Sequence, residues 1–577
     1  MRIIVCIALA LPVLLLAAPT QPMTVLPDET TVPAEAPHTG FGPAGEAGSF
    51  VIGAVDTIGG TTYDWQWNGP AYRALANSPG NGVHAIFMYS ASDQTTFPDR
   101  NMRYNYYDHG AGAWNWIDPD FMQSGVNVFT ERCGFGNMDV DPVNGVAMVS
   151  AHLGSPIHPD VARDMAPGAG IFEYASSAGV ADNYQWAYIN VDRNSGVHAA
   201  MTTDADAYDL YYANVTTWPN WTTPVGMTSP QPGPEFPTQN VACSPVSDNV
   251  CVTWEFSAGA PDPGFYRIST DAGASWANPE DLGWPPAFGG DTATSYHITS
   301  IFPFYDKDDD LHIVANVMPY VAGTGYIIPA QLWHRCISTG PTWCHIHTAT
   351  CDPANLLAAV GYNAMYACRP SLGEDQNGNL FIAWEQFDSS SVEPGPPERL
   401  RADIFYSYSQ DDGMTWEPAT KITDGGTVTH RFPAMLDNIE DTVMVSYLID
   451  QYAGFYLYAE GPATNNPIVV QKWANPIAGG VAEGPKPEPL AVRADATPNP
   501  FRRSTSISYE VPRAAAVELA VYDIAGRPVR TLATGLTQPG RYHAAWDGRD
   551  AAGDAVAAGV YLYRYRLGKE EVSGKLL

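Results

Sequence analysis

The chain has 577 residues, enough for a large core and more than one domain. Hydrophobic residues make up 45% and aromatics 12%, which excludes a disordered chain, while 52 Gly and 49 Pro suit a turn-rich all-β protein. A formal net charge of -33 argues against nucleic acid as a partner, because phosphates would be repelled.

Arg2, the apolar run Ile3 to Leu16 and then Ala17-Ala18 read as a secretory signal peptide, residues 1–18. The run is too short for a comfortable membrane span, and no later stretch is apolar enough to make one. Residues 19–45, rich in Pro, Thr, Ala and Glu, read as a flexible leader. Export permits disulfides. Cys243 with Cys251, Cys336 with Cys344, and Cys351 with Cys368 are the pairs that spacing allows, leaving Cys133 over; sequence does not fix the connectivity. Metal-ligand spacing such as C-x-x-C is absent, and no cofactor fingerprint stands in a supporting context.

From residue 46 to 473 one pattern recurs, a tight turn followed by an apolar strand. Asn81-Gly82-Val83, Asn144-Gly145-Val146, Ser195-Gly196-Val197, Asp248-Asn249-Val250, Asp309-Asp310-Leu311, Gly378-Asn379-Leu380 and Asp441-Thr442-Val443 open the seven copies. Their first apolar residues stand 51 to 69 residues apart, the near-constant spacing of a blade repeat. Seven copies predict a seven-bladed β-propeller of four-stranded sheets, its ring closed to protect edge strands. The segment Phe50 to Trp67 is expected to supply a strand to the last blade.

Two copies carry a further signature. Ser269-Thr270-Asp271-Ala272-Gly273-Ala274-Ser275-Trp276 and Ser409-Gln410-Asp411-Asp412-Gly413-Met414-Thr415-Trp416 both fit S-x-D-x-G-x-[ST]-W. The Asp accepts hydrogen bonds from its own turn, Gly takes a backbone angle other residues resist, and Trp packs into the next strand. This pattern resembles the Asp-box, or bacterial neuraminidase repeat, of sialidase-like β-propellers. The resemblance implies a structural role for Ser269, Asp271, Gly273 and Trp276, and for Ser409, Asp411, Gly413 and Trp416, on the face away from the pocket. Sialidases have six blades, so seven copies point to a seven-bladed relative.

In such a propeller, residues just before the innermost strand and just after the second strand line the central pocket. Arg73, Arg132, Arg369 and Arg431 stand 10 to 14 residues before their blade markers. Guanidinium grips carboxylates bidentately, and sialidases hold their substrate carboxylate with three arginines. Arg369-Pro370 and Arg431-Phe432-Pro433 resemble that family's Arg-x-Pro, although no F-R-I-P opens the first blade. Arg73, Arg132, Arg369 and Arg431 are therefore the expected ligand-binding residues for an anionic ligand, and Arg73, Arg369 and Arg431 are expected to share one depression with Glu385 and Glu255 on its rim. The alternative is that each arginine pairs with a carboxylate of the adjoining blade. Glu255, Glu385, Asp388 and Asp450 follow second strands, with Asp93, Asp204 and Asp206 in equivalent loops. Glycoside hydrolysis needs two carboxyl groups or, in sialidases, a Tyr nucleophile assisted by Glu. Glu385, Glu255, Asp450 and Tyr447, or Tyr452, are the catalytic candidates; solvated acidic loops are the plain alternative. His84, His198 and His312 recur at one repeat position and read as packing between blades, and Asp306 to Asp310 as a solvated hairpin.

Residues 474–494 form a Pro/Gly-rich linker. Strands at Ser506 to Val511, Val517 to Asp523, Arg541 to Trp546 and Val560 to Leu567 then predict a small immunoglobulin-like β-sandwich over 495–577. Pro498-Asn499-Pro500-Phe501, Tyr522-Asp523-Ile524-Ala525-Gly526-Arg527, Trp546-Asp547-Gly548 and Gly559-Val560-Tyr561 resemble the FlgD-type immunoglobulin-like, or type IX secretion sorting, domain. That resemblance implies engagement of secretion machinery, followed by release or surface attachment. Three functions stay open: a secreted propeller that binds extracellular glycans or related anionic polymers, a glycoside hydrolase of sialidase type, and a structural or adhesive surface protein.

Overall fold

The structure is a computed structural model that describes residues 49–577 except 51, 70, 204–208, 230–237, 256–262, 288–295, 322–323, 350, 352–357, 396–397, 478–491, 493, 498, 502–504, 512–514, 538–539 and 577. The expected signal peptide, leader, most of the linker, Asp204 and Asp206 lie outside the described residues. The described chain is all-β; among these residues no helix is long and apolar enough to cross a membrane.

Among the described residues up to 474 the strands form seven sheets of four or five strands, antiparallel except where Asn438–Ile439 joins Ala367–Asp375 in parallel, besides a two-stranded pairing of Ser49–Phe50 with Thr423–Asp424. Each sheet begins with an inner strand: Leu75–Ser78, Cys133–Val140, Tyr184–Val191, Asn240–Cys243, Tyr296–Tyr305, Ala367–Asp375 and Thr429–Met435. The tight-turn markers introduce the second strands. Val83, Val197, Val250, Leu311, Leu380 and Val443 lie within them, and Val146 directly precedes Ala147–Leu153. Apolar residues on both faces of these strands are buried, because each sheet is covered on two sides.

The seventh sheet is completed from the other end of the chain. Ala54–Thr61 pairs antiparallel with Asn466–Ala474. Hydrogen bonds then link neighbours around the whole set. Met138 N donates to Arg73 O, Val191 N to Asp139 Oδ2, Cys243 N to Asn190 Oδ1 and Lys307 N to Glu374 Oε2. Ser247 and Asn249 reach Asp309, Met435 N donates to Ser371 Oγ, and Asn77 N returns to Asp437 Oδ1 at 2.9 Å. The seven sheets thus close on themselves, and among the described residues no inner edge is left unpaired with a neighbour.

Five inner strands share a bulge at the same register position. It carries a non-glycine residue with positive φ: Phe135 (51°), Trp186 (50°), Ser300 (50°), Arg369 (54°) and Phe432 (57°). A bulge re-aims one side chain, and all five are buried. Three of them, Phe135, Arg369 and Phe432, meet the segment that follows Ala54–Thr61 or one another. Trp65 and Trp67 stand edge-on to Phe135 with centroids 6.4 and 6.2 Å apart, and the Arg369 guanidinium lies 4.6 Å from the Phe432 centroid. Tyr63, Asp64, Trp65, Gln66, Trp67 and Asn68 are at most 4% exposed. Gln66 exchanges two bonds with the Met88 backbone, and Trp67 Nε1 donates to Tyr188 Oη, which donates to Ala71 O. The segment that closes the ring therefore also fills one end of its centre.

The two S-x-D-x-G-x-[ST]-W turns are closed by their own aspartates. Asp271 Oδ1 accepts from Ser275 N at 2.8 Å and Asp411 Oδ1 from Thr415 N at 2.8 Å; the other oxygens take the Ser275 and Thr415 hydroxyls at 2.6 Å. Gly273 (φ 82°) and Gly413 (φ 76°) press on Tyr212 and His334, third-strand residues of the preceding sheet, where a Cβ would clash. Both turns are thereby also links between sheets. The three repeated histidines are likewise internal. His84 and His198 bond Tyr104 and Tyr212, and His312 sits between His334 and Asp306.

One expectation is corrected. All seven described cysteines are free thiols. Ala242 pairs with Cys251 and Cys243 with Val250, so Cys243 and Cys251 face opposite sides of their sheet and pack in different cores. Cys344 stands opposite His334, two residues from Cys336. That diagonal of about 7–8 Å exceeds disulfide reach.

The C-terminal unit is a sandwich of two sheets, one of Ala494–Thr497, Thr505–Val511 and Gly540–Trp546, the other of Pro528–Thr537, Ala515–Asp523, Tyr561–Leu567 and Glu570–Leu576. Its own core is built around Trp546, Tyr565, Leu519 and Ile507.

Candidate functional site

Two polar assemblies occupy the centre of the ring, one at each end. The first contains Arg369, Arg431, Glu385 and Asp450 of the residues that sequence selected. Arg369 and Glu385 are wholly buried and form an ion pair; Arg431, 2% exposed, reaches Glu385 Oε1 from the neighbouring sheet at 3.2 Å. Phe432 N donates to Glu385 Oε2 at 2.8 Å. Burial by itself would raise the Glu385 carboxyl, but Arg369, Arg431 and the Phe432 N–H outweigh it and hold it below the usual range. Both guanidiniums also lie over aromatic rings, Arg369 over Phe432 and Arg431 over Phe387, Phe432 and Phe455. Glu385 and Glu255 (2% exposed) are thus buried, where rim positions on an open depression were expected. The reason is packing: the aromatic segment 63–68 and the Phe455 to Tyr458 turn fill the space that a ligand would need.

Asp450 is also buried, and its carboxyl is pushed well up by burial and then by Asp64. Asp64 itself, bonded by Tyr456 N, is pushed up to about 7 by burial, with Glu460 adding to the rise. Tyr447 donates to Gln471 Oε1 at 2.8 Å, and burial raises its hydroxyl far above the ordinary phenol. Its hydrogen-bond partner is an amide oxygen and not a general base. Tyr452 Oη points to Pro394 O, and Asp388 caps Ser390. Arg132 stands apart, bonding the carbonyls of Phe97 and Thr96.

Arg73 belongs to the second assembly. Its Nη1 donates to Val241 O at 2.6 Å and its Nη2 to Pro303 O, with the guanidinium 4.6 Å from the Phe302 centroid. It lines a cavity of about 690 Å³ at the other end of the ring. All seven inner strands contribute their last residues, from Asn77 in the first to Met435 in the seventh. Arg369, Arg431, Glu385 and Glu255 are not among the lining residues, so the three arginines do not share one depression. First and third strands of a sheet both run antiparallel to the second, so the inner strands end on the side where the Asp-box turns lie. The open end is therefore the Asp-box end, the reverse of the sequence expectation.

The cavity is acidic. Asp139, Glu374, Asp375 and Asp437 line it against Arg73 and Lys307. Burial pushes Asp139 and Glu374 up to about 7, Asp437 adding to the rise at Asp139. Asp437 is raised too, again chiefly by burial. No sequence motif marks these positions. They are the last residues of inner strands and the turns after them, and only the strand ends' convergence groups them.

No curated protein matches the chain. Among solved structures it is similar to a polysaccharide lyase, an ulvan lyase bound to -[GlcA(1-4)Rha3S]-, at 13% identity over 70% of this chain and 99% of that one, TM-score 0.44. It is also similar to the α-L-arabinofuranosidase from Podospora anserina in complex with cellotriose, at 11% identity over 50% of this chain and 89% of that one, TM-score 0.29. At these scores neither likeness bears on what this chain does. Residues 499–566 match the FlgD Ig-like domain.

Proposed function

We propose that residues 46–473 form a seven-bladed β-propeller of Asp-box type that binds an extracellular glycan in its axial cavity, as a binding module. The observation that carries this reading is the convergence of all seven inner strand ends on one cavity of about 690 Å³, a size suited to a small ligand. Its wall is polar, with Asn77, Asn81, Asn144 and Asn190 beside the carboxyls, which suits hydroxyl-rich ligands. A hydrolytic reading of sialidase type has less support, because Glu385, Asp450 and Tyr447 are buried and bonded within the protein. The acidic wall also turns the reading away from an anionic ligand, since like charges in a shielded cavity repel. The same reading gives the C-terminal sandwich the export role that its sequence implies.

A glycan array probed with the purified chain tests the reading. Selective binding that is lost in an Asn77→Leu variant supports it. No bound glycan, or binding indifferent to that substitution, sinks it.

A further inference from the structure

The cavity's hydrogen bonding is incomplete on one side only. Asn77, 5% exposed, turns its Nδ2 to Asn438 O, while its Oδ1 has no partner. Glu374, 8% exposed, gives Oε2 to Lys307 N, while its Oε1 has no partner. Both unpartnered atoms are acceptors on side chains that line the cavity, and a buried acceptor left unmade is costly. The two lining cations are already engaged: Arg73 with two backbone carbonyls and Lys307 Nζ with Asp308. Four lining carboxyls face these two cations. What the wall lacks is a further donor with positive charge for these two acceptors.

We propose that the axial cavity is a binding site for a primary ammonium group, carried on an amino sugar or a polyamine, with Glu374 Oε1 and Asn77 Oδ1 as its acceptors. An ammonium offers three donors and no acceptor, which complements two orphan acceptors and an excess of carboxyls. Burial is the chief cause that raises Asp139 and Glu374, against the partial countercharge of Arg73 and Lys307, and a bound cation adds to that countercharge. An acidic sugar would add a further carboxylate to an already acidic wall and is disfavoured. A neutral hydroxyl can satisfy the acceptors but not the charge. The amino-sugar form of this proposal rests on the glycan reading above; the polyamine form does not.

The test is calorimetric titration of the full chain with four probes: a glucosamine tetramer, its fully N-acetylated counterpart, a galacturonate tetramer and spermidine. The glucosamine tetramer and spermidine should bind, the acetylated tetramer at least about tenfold more weakly, a difference of about 1.4 kcal/mol, and the galacturonate tetramer not at all. Glu374→Gln, which keeps an acceptor for Lys307 N, should weaken amine binding about tenfold with an unchanged melting temperature. Asn77→Leu serves as a second variant should that one fail to fold. Spermidine binding without glucosamine binding keeps the ammonium site and defeats its amino-sugar form. Absence of any amine binding, equal affinity for the acetylated tetramer, or full amine affinity in both variants overturns the proposal.

Discussion

Glu385→Gln tests whether the Arg369–Glu385–Arg431 cluster is a structural keystone. The substitution keeps shape and leaves an oxygen for Phe432 N, but it removes the charge between two buried guanidiniums. Breaking a buried ion pair by neutralising one partner costs about 3–5 kcal/mol, because the remaining charge is uncompensated. Here two cations are stranded at 0% and 2% exposure, so the upper part of that range is expected. Urea unfolding followed by tryptophan fluorescence measures it, since Trp65, Trp67 and Trp186 lie in the same buried centre. The folded carboxyl is held below its unfolded value. Its contribution is therefore present at pH 7 and lost as pH falls below about 4, so the gap between wild type and variant should close there. A loss under about 1 kcal/mol at pH 7, or a gap that persists at pH 3, would refute the reasoning.

Three further outcomes are expected. Asp411→Ala removes the acceptor for Thr415 N, Thr415 Oγ1 and Ser409 Oγ and should cost about 1–3 kcal/mol in the same assay; Asp271→Ala should also destabilise, and a neutral effect at both turns contradicts the assignment. Asp64, raised to about 7, opposes folding increasingly as pH climbs from about 4 to 7. Asp64→Asn should therefore gain on wild type over that window, by at most about 4 kcal/mol at about 1.4 kcal/mol per pH unit; a pH-independent difference rejects this. Deleting residues 498–577 should leave the unfolding transition of the seven-sheet unit in place, because each unit has its own core, while altering where the protein accumulates; unchanged display or release in a type IX-secreting host rejects the sorting role.

What the sequence determined by itself is what short-range hydrogen bonding determines. The tight turns before Val83, Val250 or Leu380 and the Asp-box turns at Asp271 and Asp411 are closed by residues within about five positions of one another. Their chemistry is therefore written locally, and seven repeats of it are legible as seven second strands. The C-terminal strands were readable for the same reason, as alternating runs between Gly-rich turns. Only the tertiary structure decided the centre. Whether Arg431 faces a ligand or Glu385 depends on a contact between two sheets 46 residues apart, and no local pattern encodes it. The bulges at Phe135, Trp186, Ser300, Arg369 and Phe432 re-aim side chains that strict alternation would place elsewhere. The filling of one end rests on Trp65 and Trp67, whose partners Phe455 and Tyr188 lie far along the chain. With that end closed by aromatic packing, the open cavity is left to the strand ends at Asn77, Asp139, Glu374 and Asp437. Those residues belong to different repeats, and ring closure alone makes them neighbours.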